Sequence, residues 1–399
     1  MLTKIFSNTL AQLLAKFVGA GLTFVTTALI IRLSGTEIFG DLTKSLVLVA
    51  IGFTMIDFGL NAVTVRSLGH GRDLTTGFLE LLLTRLLLSV FVVLALNLLV
   101  YYLPGGYTGS VKAVFWLGSL AIIFQGVYAS CNAIFQFQEN YWRSAASTIF
   151  GTLMGTGLTY YYIITTPTLA NFLLATSVGY LLMAAVSLYL VGLPLFSISY
   201  SQLRPRPLLR AALPLGMILL ASVAASKLDT IILGIYRTSS EVGEYGFSYR
   251  IFDVILVFPA FIMNAVYPRL VKQTPARSAL LIRQISRLML VFGIAGAILL
   301  YLSAPLIYLI RPGLSLSITS LRLLSLSLPL FFLTAPLMWQ QISLHQEKLL
   351  LRIYLAGALI NALLNLFFIP NYGAPAAASI TIATELFIFL SLLYFSHQP

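Results

Sequence analysis

Charge is what this sequence has least of. Asp, Glu, Lys and Arg make up 9% of its 399 residues, against about a quarter in a soluble domain, which excludes an ordinary water-facing globular fold. Cysteine occurs once, at Cys131 inside an apolar run, so there is no intramolecular disulfide, no CxxC pair and no thiolate metal site to build. The three histidines, His70, His345 and His397, are scattered through connections and the tail, and no metal centre is expected. Catalytic signatures are missing too: there is no G-x-S-x-G, P-loop or HExxH, and no extramembrane stretch is large enough to house a catalytic domain. Neither an enzyme nor a cofactor is expected.

What the sequence does have is length of apolar chain. Hydrophobic residues are 59% of the total and the mean hydropathy is +0.95, as in an integral membrane protein. A helix rises 1.5 Å per residue, so about 20 apolar residues cross a hydrocarbon core about 30 Å thick. Twelve runs of that order occur, at 9–32, 42–63, 78–103, 112–135, 146–165, 169–193, 208–235, 243–267, 285–309, 319–343, 350–369 and 374–396. The first continues too far, without an A-x-A-like site, to read as a cleaved signal peptide, and it is taken as the first span.

The net charge is +12, which in a soluble chain would point to nucleic acid. Here the cations gather in short connections and act as topology determinants, so nucleic acid is not an expected partner. Placing both termini in the cytoplasm puts fourteen Lys and Arg on the inner side and six on the outer, with Lys16, Arg85, Lys227 and Arg250 in or at the ends of spans. The most basic connection, 197–210, carries Arg204, Arg206 and Arg210 and falls at mid-chain.

The two halves also echo each other. An offset of 203 aligns Phe39-Gly40-Asp41 with Val242-Gly243-Glu244 and NAVTVR at Asn61–Arg66 with NAVYPR at Asn264–Arg269; a one-residue shift aligns the RLLL at Arg85 with the RLML at Arg287. The repeat unit is therefore six helices. The expected architecture is an all-α membrane protein of about 12 helices: an N-terminal lobe at 1–196, a basic cytoplasmic linker at 197–210 and a C-terminal lobe at 211–399. Lobes related by a pseudo-two-fold axis along the membrane normal imply a central transport pathway between them.

The residues that most need explaining are charges at membrane depth, each costing about 2.5–3.5 kcal/mol on insertion scales. Lys16, Lys227 and Arg250 are candidates to line a cationic, water-filled cavity that attracts phosphate or acidic sugars. Snorkelling to an interface and ion pairing between helices are the alternatives. Lys227 and Asp229 lie two apart, on opposite sides of a helix, so at least one needs a partner on another helix. Asp57, Asp229, Asp253 and Glu385 are candidate cavity or ion-coupling acids, able to exchange a proton or hold Na⁺; the alternative for each is a structural ion pair, and Asp253 sits three residues after Arg250. Asn8, Gln12, Gln125, Tyr128, Asn132, Gln136, Tyr160, Tyr161, Tyr249, Asn264, Gln340, Gln341, Asn361 and Asn365 suit sugar rings in a wide cavity, although tyrosines also anchor helices at membrane interfaces. The GTLMG at Gly151–Gly155 is a close-packing signal. Pro214, Pro259, Pro329 and Pro336 fall inside spans and permit bends.

Several stretches resemble one family. The N-x-L-A-x-x-x-x-K-F-V-G pattern at Asn8–Gly19, the LSGTEIFGDL and MIDFGLNAV that follow, and the D-x-x-I-L-G at Asp229–Gly234 with VGEYGFSYRI resemble Wzx-type polysaccharide flippases. These belong to the multidrug/oligosaccharidyl-lipid/polysaccharide superfamily. The resemblance implies a two-lobe transporter in the bacterial inner membrane. It would move undecaprenyl-pyrophosphate-linked glycan between leaflets by alternating access, for O-antigen, capsule or exopolysaccharide synthesis. It implies that Lys16, Lys227 and Arg250 engage the pyrophosphate or acidic sugars, and it leaves coupling to H⁺ or Na⁺ open. Beyond membrane lipid and the glycan, a polysaccharide polymerase and a chain-length regulator are the partners to expect. The competing readings are a drug or cation antiporter of the same superfamily, which needs an acidic cavity, and a membrane-embedded polymerase, which needs a long outer loop. The longest outer connections here are about ten residues.

Overall fold

A chain that must satisfy its own backbone in hydrocarbon has few options, and this one takes the helical option throughout. The computed structural model describes residues 2–192, 205–272, 275–344 and 346–396. Thirteen helices account for nearly all of them, and no strand occurs among the described residues. His345, His397 and residues 197–204 of the basic connection lie outside the described residues, as do the side chains of Asn8, Asn264 and Arg269. Each of the twelve apolar runs falls on helical chain. By length and composition eight helices can cross a membrane, or up to ten if each of two bent pairs is one span. The protein is thus a multi-pass, all-α membrane protein.

Two units divide the chain, Met1–Val223 and Ala224–Pro399. The first holds α1 (Leu2–Leu33), α2 (Thr36–Asp57), α3 (Leu60–Gly69), α4 (Leu74–Tyr102), α5 (Gly109–Phe137), α6 (Tyr141–Thr165), α7 (Leu169–Val191) and the first part of α8 (Pro205–Tyr236). The expected halves, 1–196 and 211–399, differ from these units by that part of α8. Its Leu208 and Ala212 are buried with Leu60, Leu81 and Ala133 of the first unit, and that packing carries the helix with it.

The apolar run at 42–63 is not one straight span. It breaks at Phe58 and Gly59, both left-handed (φ 42° and 72°), which separates α2 from α3. Further along, Asp73 caps α4 by accepting from the Thr76 amide at 2.8 Å and from the Thr76 hydroxyl, and these hydrogen bonds hold its carboxyl below the usual range.

Close packing of α6 on α7 follows from the GTLMG glycines. A Cβ on Gly151 would lie 2.7 Å from the Gly179 carbonyl oxygen and 3.0 Å from the Met183 Cα, and one on Gly155 would lie 3.1 Å from the Gly179 Cα. Those obstacles are backbone, so the crossing admits no side chain. Gly151→Val is expected to open the crossing at a cost of about 1–3 kcal/mol, read as a fall of several degrees in the thermal midpoint of the detergent-purified protein. An unchanged midpoint would mean that α6 and α7 do not need this approach.

The second unit holds the rest of α8, then α9 (Ser239–Lys272), α10 (Pro275–Ser303), a short 3-10 turn at Ala304–Leu309, α11 (Ser315–Ser325), α12 (Leu328–Ser343) and α13 (Glu347–Ser396). The run at 319–343 is bent by 41° between α11 and α12, just ahead of Pro329. α13 is two helices joined at Gly373, whose φ of 62° and ψ of −142° are open to glycine and strained for other residues. Asn361 bonds Thr384, and Gly357 faces Ile388, so the halves run antiparallel about that residue. Glu241 accepts from the Ala374 amide at 2.7 Å and from Arg237, which also donates to the Pro370 carbonyl.

The repeat is visible inside each unit. Asp41 pairs with the buried Lys44 at 2.9 Å, and Lys44 donates to the Gly106 carbonyl in the connection after α4. Glu244, the residue aligned with Asp41, accepts from the Ser317 amide at 3.0 Å, early in α11. Each acid ties the second span of its unit to the chain beyond the third. Lys44, by sequence one of the six cations counted to the outer side, is therefore an interior structural cation.

Candidate functional site

In the first unit, α1, α5 and α6 enclose a cavity of about 460 Å³ whose wall includes Gln12, Lys16, Tyr128, Asn132, Gln136 and Tyr141. Spacings of four residues place Gln12 with Lys16 on one face of α1 and Tyr128, Asn132 and Gln136 on one face of α5. The Tyr128 hydroxyl is fixed by Ser144 at 3.1 Å and Thr148 at 2.9 Å on α6. Lys16 thus lies in a polar cavity of the first unit, whereas Lys227 and Arg250 belong to the second.

Asp57 takes a different part. The Arg85 guanidinium, fully buried on α4, donates to its carboxylate at 2.7 Å and, through Nε, to the Ile56 carbonyl at 3.3 Å. Ile56 and Asp57 form the last turn of α2, where carbonyls lack intrahelical donors and a cation is favourable. Arg85 therefore seals the broken end of α2, and Asp57 is its counter-charge.

The second unit gathers most of the charges singled out above. Lys227 on α8 lies 3.7 Å from the Asp253 carboxylate on α9, and its ammonium stands over the Tyr249 ring, 4.6 Å from the centroid. Asp253 also lies in the field of Arg250, one turn earlier on the same helix. The Lys227 and Asp253 side chains keep 27% and 48% of their surface. Charges that remain accessible within spans cannot face lipid at tolerable cost, so this face needs water beside it. Asp229 turns the other way. It is buried and accepts from the Tyr245 hydroxyl and from the Thr230 amide and hydroxyl. Both members of the Lys227–Asp229 pair thus find a partner on α9, where their spacing required another helix of at least one.

Glu385 on the second half of α13 is 6% exposed, and its Oε1 has no hydrogen-bond partner among the described residues. Thr334 of α12 stands beside it, and Tyr249 and Tyr354 lie within its field. A buried carboxyl beside hydroxyls can take up a proton. Tyr245 and Thr384 are parts that sequence reading does not single out, and Arg85 is noted there only as an intramembrane cation, without its role. Tyr245 stands four residues before Tyr249, a helical spacing that places both rings on the face toward α8.

The sequence profile described as polysaccharide biosynthesis protein matches residues 5–274. A search of curated proteins returns no match. Among solved structures, the lipid II flippase MurJ in an inward closed conformation is similar at a TM-score of 0.82 and 15% identity, over 98% of this chain and 88% of that one. An inward-facing multidrug resistance MATE family transporter of the MOP superfamily is similar at 0.71 and 14%, over 96% of each. A eukaryotic MATE transporter is similar at 0.65 and 12%, over 98% and 97%. At these identities the likeness shows the fold.

Proposed function

We propose, since the chain belongs to the polysaccharide biosynthesis protein family, that it is a flippase for undecaprenyl-pyrophosphate-linked oligosaccharide repeat units. It carries them by alternating access across the bacterial inner membrane, with both termini cytoplasmic, for O-antigen, capsule or exopolysaccharide synthesis. It is a transporter and not an enzyme, it uses no cofactor, and a polymerase and chain-length regulator take up its product. The observation that carries this reading is the accessible Lys227, which stands over the Tyr249 ring and makes a long contact to Asp253, an acid it shares with Arg250. A cation so placed can exchange its carboxylate for a pyrophosphate. Lys16 serves the same cargo from the first unit, and the fold likeness to a lipid II flippase supports a lipid-linked cargo.

Glu385 and Asp229 are the acids assigned to coupling with H⁺ or Na⁺, since neither has a cation as its hydrogen-bond partner. Glu385→Gln keeps the shape and removes the charge. Export by this variant is expected to become indifferent to collapse of the proton or sodium gradient, measured as surface glycan after ionophore treatment. Unaltered gradient dependence would return Glu385 to packing.

The fold is shared with multidrug transporters, so an antiporter for cationic drugs is the second reading. The charges gathered at Asp253, two cations to one acid, disfavour a cationic cargo. Mass spectrometry of lipids from a strain lacking the gene decides between them. Accumulated undecaprenyl-pyrophosphate bearing a complete repeat unit, on the cytoplasmic side and with surface polymer lost, is the expected result. Normal lipid intermediates with altered drug sensitivity would establish the antiporter.

A further inference from the structure

We infer that a file of water enters the second unit along one face of α12 and carries protons to Glu385. The inference rests on the reading that Glu385 couples export to an ion gradient, and it names that ion as H⁺.

Residue spacing builds the face. Phe331, Thr334, Met338 and Gln341 fall at i, i+3, i+7 and i+10, one stripe of a helix. Gln341 lies in the last turn and is 1% exposed, and neither its amide oxygen nor its amide nitrogen has a hydrogen-bond partner among the described residues. An amide buried without partners is costly, and water is the usual remedy where the surroundings are polar. One turn further in, the Tyr354 hydroxyl of α13 donates to the Met338 sulfur at 3.2 Å, a weak acceptor that water readily replaces. Tyr354 lies in the field of Glu385, and the Thr334 hydroxyl stands beside the same carboxyl. From Gln341 back to Thr334 is a rise of about 10 Å, the span of about four waters in a hydrogen-bonded file.

Beyond Thr334 the stripe turns dry. Phe331 meets Phe252 edge-on with ring centroids 5.8 Å apart, and Phe252 meets Tyr249 in the same way. The path thus opens at the end of α12 toward the exposed Leu344 and is closed by rings at the other. The transfer itself leaves the wall unchanged. The Tyr354 hydroxyl gives its proton to the Glu385 carboxylate and takes one from the water behind it, which is replenished from the bulk.

The test places single cysteines in the full-length protein, with the native Cys131 replaced by alanine, and labels them in membrane vesicles of both orientations with a small cationic methanethiosulfonate reagent. Gln341→Cys, Met338→Cys and Thr334→Cys are expected to react from the Leu344 side at least about tenfold faster than Phe332→Cys, because a thiol reacts as its hydrated thiolate and Phe332 packs against Gly293 of α10. Equally slow labelling of all four, or faster labelling from the opposite side, would overturn the path. Independently, Gln341→Leu should lower export driven by a proton gradient about tenfold at equal membrane abundance, while Gln341→Asn, which still holds water, keeps most of it. Wild-type export by the leucine variant would also overturn the path. Labelling as expected with Glu385→Gln still gradient-dependent would sink the coupling reading and leave the water file. Unlabelled cysteines with Glu385→Gln indifferent to the gradient would sink the file and leave the coupling.

Discussion

Alanine at Lys227 is expected to cut glycan export by about ten- to hundredfold, the loss of one charge-assisted contact of about 1.5–3 kcal/mol to the cargo, with the protein still present in the membrane. The two halves of that expectation come from different observations. The contact to Asp253 is 3.7 Å long and both side chains are partly accessible, so the pair contributes at most about 1 kcal/mol to stability. Removing it leaves a carboxylate that water still reaches. Abundance by immunoblot and the thermal midpoint should therefore stay near wild type while surface polysaccharide falls. Export at the wild-type rate would remove Lys227 from cargo binding. A matching fall in abundance would show that the ion pair is structural after all.

Arg85 reverses that pattern. Its side chain is fully buried, and it serves both the Ile56 carbonyl and Asp57 at the break between α2 and α3. Arg85→Ala strands these acceptors and leaves a void where the longest side chain of α4 lay. The loss expected is about 3 kcal/mol, the lower end for breaking a buried pair, because the Asp57 side chain is 42% accessible and water can reach it. Membrane abundance should drop severalfold. The double variant Arg85→Met with Asp57→Asn should recover much of it, since no charge is then left without a counter-charge. Full abundance of Arg85→Ala would mean that the end of α2 does not depend on this arginine. Lysine is expected to rescue only in part, having no fork to reach both acceptors.

Charge inside apolar runs is a legible signal, and Lys227, Asp229 and Glu385 stand out from the sequence for that reason. The apolar runs place the helices equally well, because in lipid every span must be a helix. What sequence spacing does not carry is which helices meet. Asp57 finds its partner 28 residues away on α4. Asp253, three residues from Arg250 and in its field, also stands against Lys227 of another helix. The break at Phe58 is hidden for a related reason, since a phenylalanine gives no notice of a left-handed backbone. Pro329, by contrast, does announce the bend ahead of α12. The cavity of the first unit lies between these cases. Its residues keep strict helical spacing on each of three helices, but three faces become one wall only when the helices are assembled.

The reversal at Gly373 bears on how the protein is made. A continuous α13 of 50 residues would be a rod of about 75 Å, more than twice the hydrocarbon thickness. The carboxylate that holds the reversal, Glu241, accepts from an amide 133 positions further along the chain. The hairpin of α13 is thus received by a side chain made well before it, and a Cβ on Gly373 would collide with that same carboxylate. Synthesis from the N-terminus therefore makes the receiving pair before the segment that docks on it, and a chain truncated before Ala374 leaves Glu241 without the amide it holds.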